Sequence, residues 1–329
     1  MAGSESLVSV IIVHWNTAGE LEKCVRALLD IRGLPLEIIV VDNASDDIDS
    51  LQWSGYPECV HLIRNTVNTG YAHATNQGLG RARGGFVLLL NPDVEVDEHG
   101  VRRLVETIES DPAAGAATAR LNSPDGSFQR YCNRFPTFTA MIGRFTLLEP
   151  LMRGTSAVRN YLMLDMDAGV RQKIEQAPGA CLMIHRPMLK KAGFMDERFP
   201  LFFNDVDFCR RIAAAGGAIA YVPDAVFTHA AQASVKKVRP VLLQAEFRVS
   251  VIRYFARWHS RPAAQALRAF ILIDRCIRLA ATAARVVAGK KSRDDLSDCR
   301  RGIAMLVMNR SMFEKRFQSA FLTSAGLKS

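Results

Sequence analysis

Phe86–Val94 reads FVLLLNPDV. Five apolar residues, Phe86 to Leu90, run without a break, and the turn tripeptide Asn91-Pro92-Asp93 follows at once. A short unbroken apolar run suits a strand covered on both faces of a parallel sheet. Two more such runs lie upstream, VSVIIVH at Val8 to His14 and Ile38 to Val41. Between them, Ala18 to Ile31 carries Leu21, Val25, Leu28 and Leu29 at helical spacing. A helical stretch is expected after Asn76, ending at Gly84-Gly85, and another over Val101 to Ile108, stopped by Asp111-Pro112. Strands alternating with helices predict an α/β fold with a doubly wound, mostly parallel sheet.

In such a sheet ligands bind beyond the carboxyl ends of the strands. The three runs end in His14-Trp15-Asn16, in Asp42-Asn43-Ala44-Ser45-Asp46 and in Asn91-Pro92-Asp93. Polar residues at three strand ends give a direction that no single turn would give. A carboxylate exposed after a buried strand, as at Asp93, offers hard oxygen to Mg2+ or Mn2+, although an NPD tripeptide also serves as a plain capped turn.

Further along, residues 121–176 show no clear period and read as an acceptor-side insertion or a loop. Gly179 to Ile184 is a strand signal, Phe208 to Ala215 a helix stopped by Gly216-Gly217, and Ala218 to Val222 a strand ended by Pro223. PLFFNDVDFCRR, Pro200 to Arg211, sets Asp205 and Asp207 in apolar surroundings. Two neighbouring acids push their pKa values apart, a device for holding one as a base; acids at a helix N-terminus are the simpler reading. His229 gains meaning only in company, where a neutral imidazole completes a coordination sphere. The segment NTVNTGYAHATNQGLG, from Asn65, brings Gly70 and Gly78 for close backbone approach and Asn68 and Asn76 as amide donors and acceptors. GxxxxGK[ST] and GxGxxG are both missing, which argues against a P-loop enzyme and a dinucleotide dehydrogenase.

Composition fits a globular protein: 329 residues, 49% hydrophobic, 23% charged. The seven cysteines form no CxxC pair and read as reduced thiols. The first residues lack the basic region of a secretory signal, and no stretch reaches the roughly 20 apolar residues of a span, so a soluble or peripheral protein is expected. Net charge is +9, but Val235 to Arg293 alone holds 14 Lys or Arg against Glu246 and Asp274. That region reads as helical, with a new helix at Pro262. Phe270, Ile273, Ile277, Ala281 and Ala284 gather on one face, with Arg261, Arg268, Arg275 and Arg278 opposite. Such a helix suits an anionic membrane surface, or else packs on the main domain with a solvated basic face.

Taken together, SVIIVHWN, IIVVDNASDD, RNTVNTGYAHATNQGL, LLLNPDV, GACLMIHR, FFNDVDFCRRIAAAG and YVPDAVFTH resemble the family-2 glycosyltransferases of the GT-A fold, specifically a bacterial rhamnosyltransferase-like branch. The resemblance implies a glycosyltransferase domain over 1–235, with a nucleotide-sugar half to about residue 120 and an acceptor half beyond it, and a basic helical extension over 236–329. It implies that Asp42 contacts the nucleobase, that His14, Asn16, Asn68, Asn76 and Asn91 flank the donor, and that Asp93 and His229 hold a divalent cation. Asp205 matches the general base, and Asp207 and Arg211 the supporting residues. The implied activity is inverting transfer from a nucleotide diphosphate to a glycan or lipid-linked acceptor in cell-surface polysaccharide synthesis, at the inner face of the plasma membrane. dTDP-L-rhamnose is the donor that the branch suggests. Self-association is left open, and nucleic acid is not expected as a partner.

Two departures stand out. Asn204-Asp205 replaces the family's common Glu-Asp, which admits a weak or inactive sugar-binding relative. Asn91 replaces the first acid of the metal turn, so the diphosphate must complete the coordination. Other classes fit less well. The basic tail would suit a nucleic-acid binder, but no recognised module is present. A nucleotidyltransferase would need a glycine-rich basic loop after the first strand, and His14 to Ala18 supplies none.

Overall fold

The computed structural model describes residues 6–230, 239–290 and 292–307. The expected domain boundary at 235/236 lies outside them. The chain divides into two compact units. The first runs to Phe135, resumes over Asp165–Pro200, and continues from Asn204 through the last strand. The second gathers Pro136–Leu164, Leu201–Phe203 and the C-terminal helices.

The first unit opens with β1 (Val8–His14), α1 (Ala18–Leu29), β2 (Leu36–Asp42), β3 (Val60–Arg64), α2 (Tyr71–Arg81), β4 (Phe86–Leu90) and the two-residue β5 (Val94–Glu95). Next come α3 (Glu98–Ser110) and β6 (Ala114–Asn122). The second unit holds the short helices α4 (Phe138–Phe145), α5 (Glu149–Met152) and α6 (Ser156–Tyr161). The first unit then resumes with β7 (Gln172–Ile174), β8 (Cys181–His185), α7 (Arg186–Ala192), α8 (Asn204–Ala214) and β9 (Ala218–His229). The second unit ends with α9 (Pro240–Trp258), α10 (Arg261–Val287) and α11 (Arg293–Val307).

The sheet runs β3-β2-β1-β4-β8-β6-β9-β5, with β7 also on β9. β1 is parallel to β2 and to β4, and β2 to β3. β8 enters antiparallel between β4 and β6. The three unbroken apolar runs are β1, β2 and β4, and Val10, Ile12, Ile38, Val40, Leu88 and Leu90 are fully buried in one core. From β1 the chain passes to β2 on one side and reaches β4 on the other, so the order reverses between β1 and β4. A crevice opens outside the carboxyl ends at such a switch point.

Several elements differ from the sequence reading. β3 escapes it because VHLIR is only half-buried at the sheet edge. α2 starts at Tyr71, after Gly70 at φ +84°, and Asn76 lies inside it. The interior Gly78 looks non-helical in sequence but lets α2 close on β1, since a Cβ there would come within 2.5 Å of Ile11. α8 starts at Asn204, four residues before the expected Phe208, which puts Asp205 and Asp207 in its first turn. β9 does not stop at Pro223. Its pairing with β6 jumps from Val222 to Val226, so residues 223–225 bulge where proline has no N–H to give, and the strand resumes to His229. Within the stretch that shows no clear period, three short helices form, α4, α5 and α6, joined by turns.

α10 buries Ala264, Leu267, Ile271, Asp274 and Thr282. The apolar stripe predicted from the sequence is not that face: Phe270, Ile273 and Ile277 are exposed. No helix of the described residues is long and apolar enough to cross a membrane.

Candidate active site

The turn after β4 and the end of β9 meet through backbone. Val94 pairs with His229, and the Ala230 N–H donates to the Asp93 carbonyl at 3.0 Å. This sets His229 Nε2 3.4 Å from Asp93 Oδ1, with both side chains about 6% exposed. Gln129 fixes the imidazole. Its Nε2 donates to Ser123 Oγ at 2.9 Å and to the His229 carbonyl at 2.8 Å. Its Oε1 therefore faces His229 Nδ1, at 3.0 Å, and Nδ1 carries the hydrogen. His229 Nε2 is left buried without a hydrogen-bond partner, its lone pair against a carboxylate. Two electron-rich atoms held face to face, out of water, fit a cation between them. Among the described residues no group of three or more His, Cys, Asp or Glu gathers as metal ligands. The pair offers two ligands, which suits a cation that takes its remaining oxygens from elsewhere.

Asp205 stands across the dipeptide Gly179-Ala180 from this pair. The Asn91 N–H donates to the Ala180 carbonyl at 3.0 Å, and the Gly179 N–H donates to Asp205 Oδ2 at 3.3 Å. Asp205 Oδ1 accepts the Val206 N–H at 2.8 Å, and Tyr71 donates to the Gly179 carbonyl at 3.0 Å. Burial raises the Asp205 carboxyl above the ordinary carboxylate range, against the pull of these backbone N–H groups. Asp207 is not the cause. Residues two apart on a helix face different ways, and Asp207, fully buried, accepts Arg211 Nε at 2.9 Å. Arg211 in turn donates to the Ala192 carbonyl at 2.5 Å. The expected mutual shift of the two acids is thus replaced by desolvation of one and ion-pairing of the other.

The β1 and β2 ends form the other wall. His14 and Asp42 pair across the strands. Asp42 is 2% exposed, and burial raises its carboxyl although the Ser45 N–H donates to it at 3.2 Å. His14 is fully buried, with Nδ1 3.0 Å from Thr17 Oγ1 and Nε2 3.1 Å from Asp47 Oδ1. Its imidazole braces the loop, because Asp47 also accepts the Ala18 N–H at the start of α1. Asn16, at φ +54°, donates its N–H to Ser45 Oγ and accepts the Asp46 N–H at 2.7 Å, locking two strand-end loops together.

Asn68 accepts from the Asn43 amide at 2.9 Å and from the Gly70 N–H at 3.0 Å. Asn43 gathers Thr69 and Asn65 on its own oxygen. Asn43 and Gln129 are the two contributors that the sequence reading did not single out. Asn43 was visible only as one member of a polar cluster, and Gln129 lies 100 positions from the histidine that it orients. Asn76 departs from its expected place beside the donor. Its amide donates to the Met195 carbonyl and Glu197, both at 2.9 Å, and its oxygen accepts the Met195 N–H at 2.8 Å, so it clips α2 to the 195–197 loop.

Buried Asp42 and Asp93 stand at strand ends on either side of a switch point, the place where open α/β sheets bind ligands. Residues 9–170 match the family model described as glycosyl transferase family 2. Over 235 residues the chain is 26% identical to the N-acetylglucosaminyl-diphospho-decaprenol L-rhamnosyltransferase of Mycobacterium tuberculosis, covering 68% of this chain and 76% of that one. Over 208 residues it is 25% identical to a low-salt glycan biosynthesis hexosyltransferase of Haloferax volcanii, covering 62% and 61%. The fold is similar to that of a mannosyltransferase from Pyrobaculum calidifontis in complex with GDP-Man and Mn2+, at TM-score 0.50 and 20% identity over 97% of this chain and 86% of that one. It is also similar to GalNAc-T7 with UDP, GalNAc and Mn2+, at TM-score 0.51 and 19% identity over 79% and 51%. The chain carries a glycosyl transferase family 2 domain on a GT-A fold, and it is a transferase.

Proposed function

We propose that the chain is an inverting, divalent-cation-dependent glycosyltransferase that moves a sugar from a nucleoside diphosphate to a hydroxyl of a glycan or lipid-linked acceptor in cell-surface polysaccharide synthesis. The unpartnered His229 Nε2 beside Asp93 carries the reading. A Mg2+ or Mn2+ ion held there would offset the negative charge on the departing diphosphate. Asp42 and the loops locked by Asn16 and Asn68 would hold the nucleoside, with Asn91 in the turn beside them. Asp205 would take the proton of the acceptor hydroxyl as that oxygen attacks the anomeric carbon from the side opposite the diphosphate. Arg211 holds Asp207 and braces α8. The relative from M. tuberculosis makes L-rhamnose, as dTDP-L-rhamnose, the first donor to try. Thermal-shift screening against UDP-, GDP- and dTDP-sugars with Mn2+ tests the reading: stabilisation by one nucleotide class supports it, and a flat response to all refutes it.

The raised Asp205 carboxyl has a pH consequence. A base that keeps its proton to higher pH is competent only above its shifted pKa. Transfer rate should therefore rise with pH through a midpoint above about 4, the ordinary aspartate value, and then level off. A kcat/KM profile already flat from that value upward would remove Asp205 from the base role.

The chain would work at the inner face of the plasma membrane, seated through α10. Its exposed Phe270, Ile273 and Ile277 lie on a helix that also carries five Arg and one Asp, a composition drawn to anionic surfaces. Replacing Ile273 and Ile277 with Asp should abolish flotation with phosphatidylglycerol-containing vesicles. Undiminished flotation would contradict the seat.

A further inference from the structure

The second unit contains a cluster of cations that the transfer reaction leaves unexplained. Asp274, on α10, is 5% exposed. Its Oδ2 accepts Arg275 Nε at 2.8 Å and Nη2 at 2.5 Å, and both its oxygens lie 3.3 Å from Arg278 Nε. Its Oδ1 also takes the Leu147 N–H at 2.7 Å. A third guanidinium, Arg248 on α9, shares the same field. Burial, together with the like charges of Arg275 and Arg278, pulls its pKa down to about 10, and Asp274 is the one group that opposes them. Arg248 itself donates to the Gln244 carbonyl at 2.9 Å and to its amide oxygen at 3.2 Å. On α4, Arg144 is paired with Glu149 at 3.1 Å. Two guanidiniums thus bind one carboxylate and a third lies within their field, an excess of +2.

Folding alone does not favour this excess, because each added cation repels the others in a partly desolvated place. A multivalent oxyanion reverses the balance. It offers several acceptor oxygens, and guanidiniums bind such groups bidentately. The surroundings say what the anion is attached to. Leu147 is held against Asp274, and its side chain and that of Leu148 are exposed. Ile273 and Ile277, one residue before Asp274 and three after it, are exposed as well. Apolar side chains therefore border the cluster.

We propose that Arg248, Arg275 and Arg278 form a binding site for the diphosphate of an isoprenoid-type lipid, with the exposed leucines and isoleucines along its hydrocarbon. The pairing of Arg275 and Arg278 on one carboxylate, with Arg248 in the same field, favours this occupant over a phospholipid surface. Attraction to a charged surface needs only dispersed cations, whereas a compact excess of +2 matches one diphosphate. The proposal deepens the lipid-linked acceptor reading.

The test uses the full chain in EDTA, without nucleotide, so that neither the cation pair nor sugar transfer enters the result. Binding of farnesyl diphosphate, farnesol and inorganic pyrophosphate is measured by titration calorimetry. Farnesyl diphosphate should bind at least about tenfold more tightly than farnesol or pyrophosphate. Arg248→Gln and Arg278→Gln should each weaken it by about tenfold or more, the scale of one hydrogen bond to a charged group. Arg248→Lys should retain part of the affinity. A melting curve for each variant separates lost binding from lost folding, and Arg278→Lys replaces Arg278→Gln if the latter does not fold. Equal affinity for farnesol and farnesyl diphosphate overturns the proposal, as do folded variants that bind like the wild type. It is also overturned if the arginine variants lose flotation with phosphatidylglycerol vesicles while farnesyl diphosphate binding stays unchanged. Absence of transferase activity would not touch it, and failure of this site would leave the donor-side reading standing.

Discussion

Asp205→Asn leaves the chain folded and able to bind its nucleotide, and cuts sugar transfer by about 10²–10⁴-fold, the usual worth of a positioned general base. The amide is isosteric with the acid. Of the two backbone donors on the carboxylate, Val206 at 2.8 Å and Gly179 at 3.3 Å, only one keeps an oxygen acceptor. The structural cost is therefore about 1 kcal/mol. Desolvation of a charged carboxylate is relieved at the same time, because burial is what raises this group in the wild type. Asp207 cannot stand in, since its carboxylate is fully buried and committed to Arg211. Transfer assays combined with equilibrium binding of the nucleoside diphosphate check the point. Loss of nucleotide binding in step with turnover would move Asp205 to the donor site and leave the base unassigned.

Asp93→Ala removes the one carboxylate of the proposed cation pair. Lewis-acid stabilisation of a diphosphate leaving group is worth several kcal/mol, so transfer should fall at least about a hundredfold and lose its response to added Mn2+. The fold should survive, because the contacts that join this turn to β9 are made by the Asp93 carbonyl and the Val94–His229 ladder rather than by the side chain. His229→Ala should be milder, and Gln129→Leu milder again at about 10–100-fold in metal affinity, since it acts only by orienting the imidazole. Activity that stayed metal-dependent and undiminished in Asp93→Ala would remove the pair from the reaction.

The strands of the nucleotide half were legible because both faces of β1, β2 and β4 are covered, so apolar residues run unbroken. Where one face is open or the chain bulges, the signal fades. β3 at the sheet edge reads as mixed, and Pro223 looks like a stop although the strand bulges around it. α8 began earlier than its apolar period suggests, because its first turn is polar. α10 shows a further limit. Its strongest apolar stripe in the sequence is exposed, and Asp274 lies on the buried face, because two arginines and a backbone N–H satisfy it. At the site, strand ends pointed to the crevice, but not to which amides face it. Asn76 looks like its neighbour Asn68 in sequence, yet it turns to the 195–197 loop. Gln129 could not be read at all, since its value lies in a side-chain contact across 100 residues.

The most direct measurement is release of nucleoside diphosphate from a panel of nucleotide sugars by the wild-type chain, with Mn2+ and with EDTA. Release is expected from one nucleotide class, dTDP-L-rhamnose first, in Mn2+ and none in EDTA. Release that is equal with and without the cation, or none from any nucleotide sugar with an acceptor present, would contradict it.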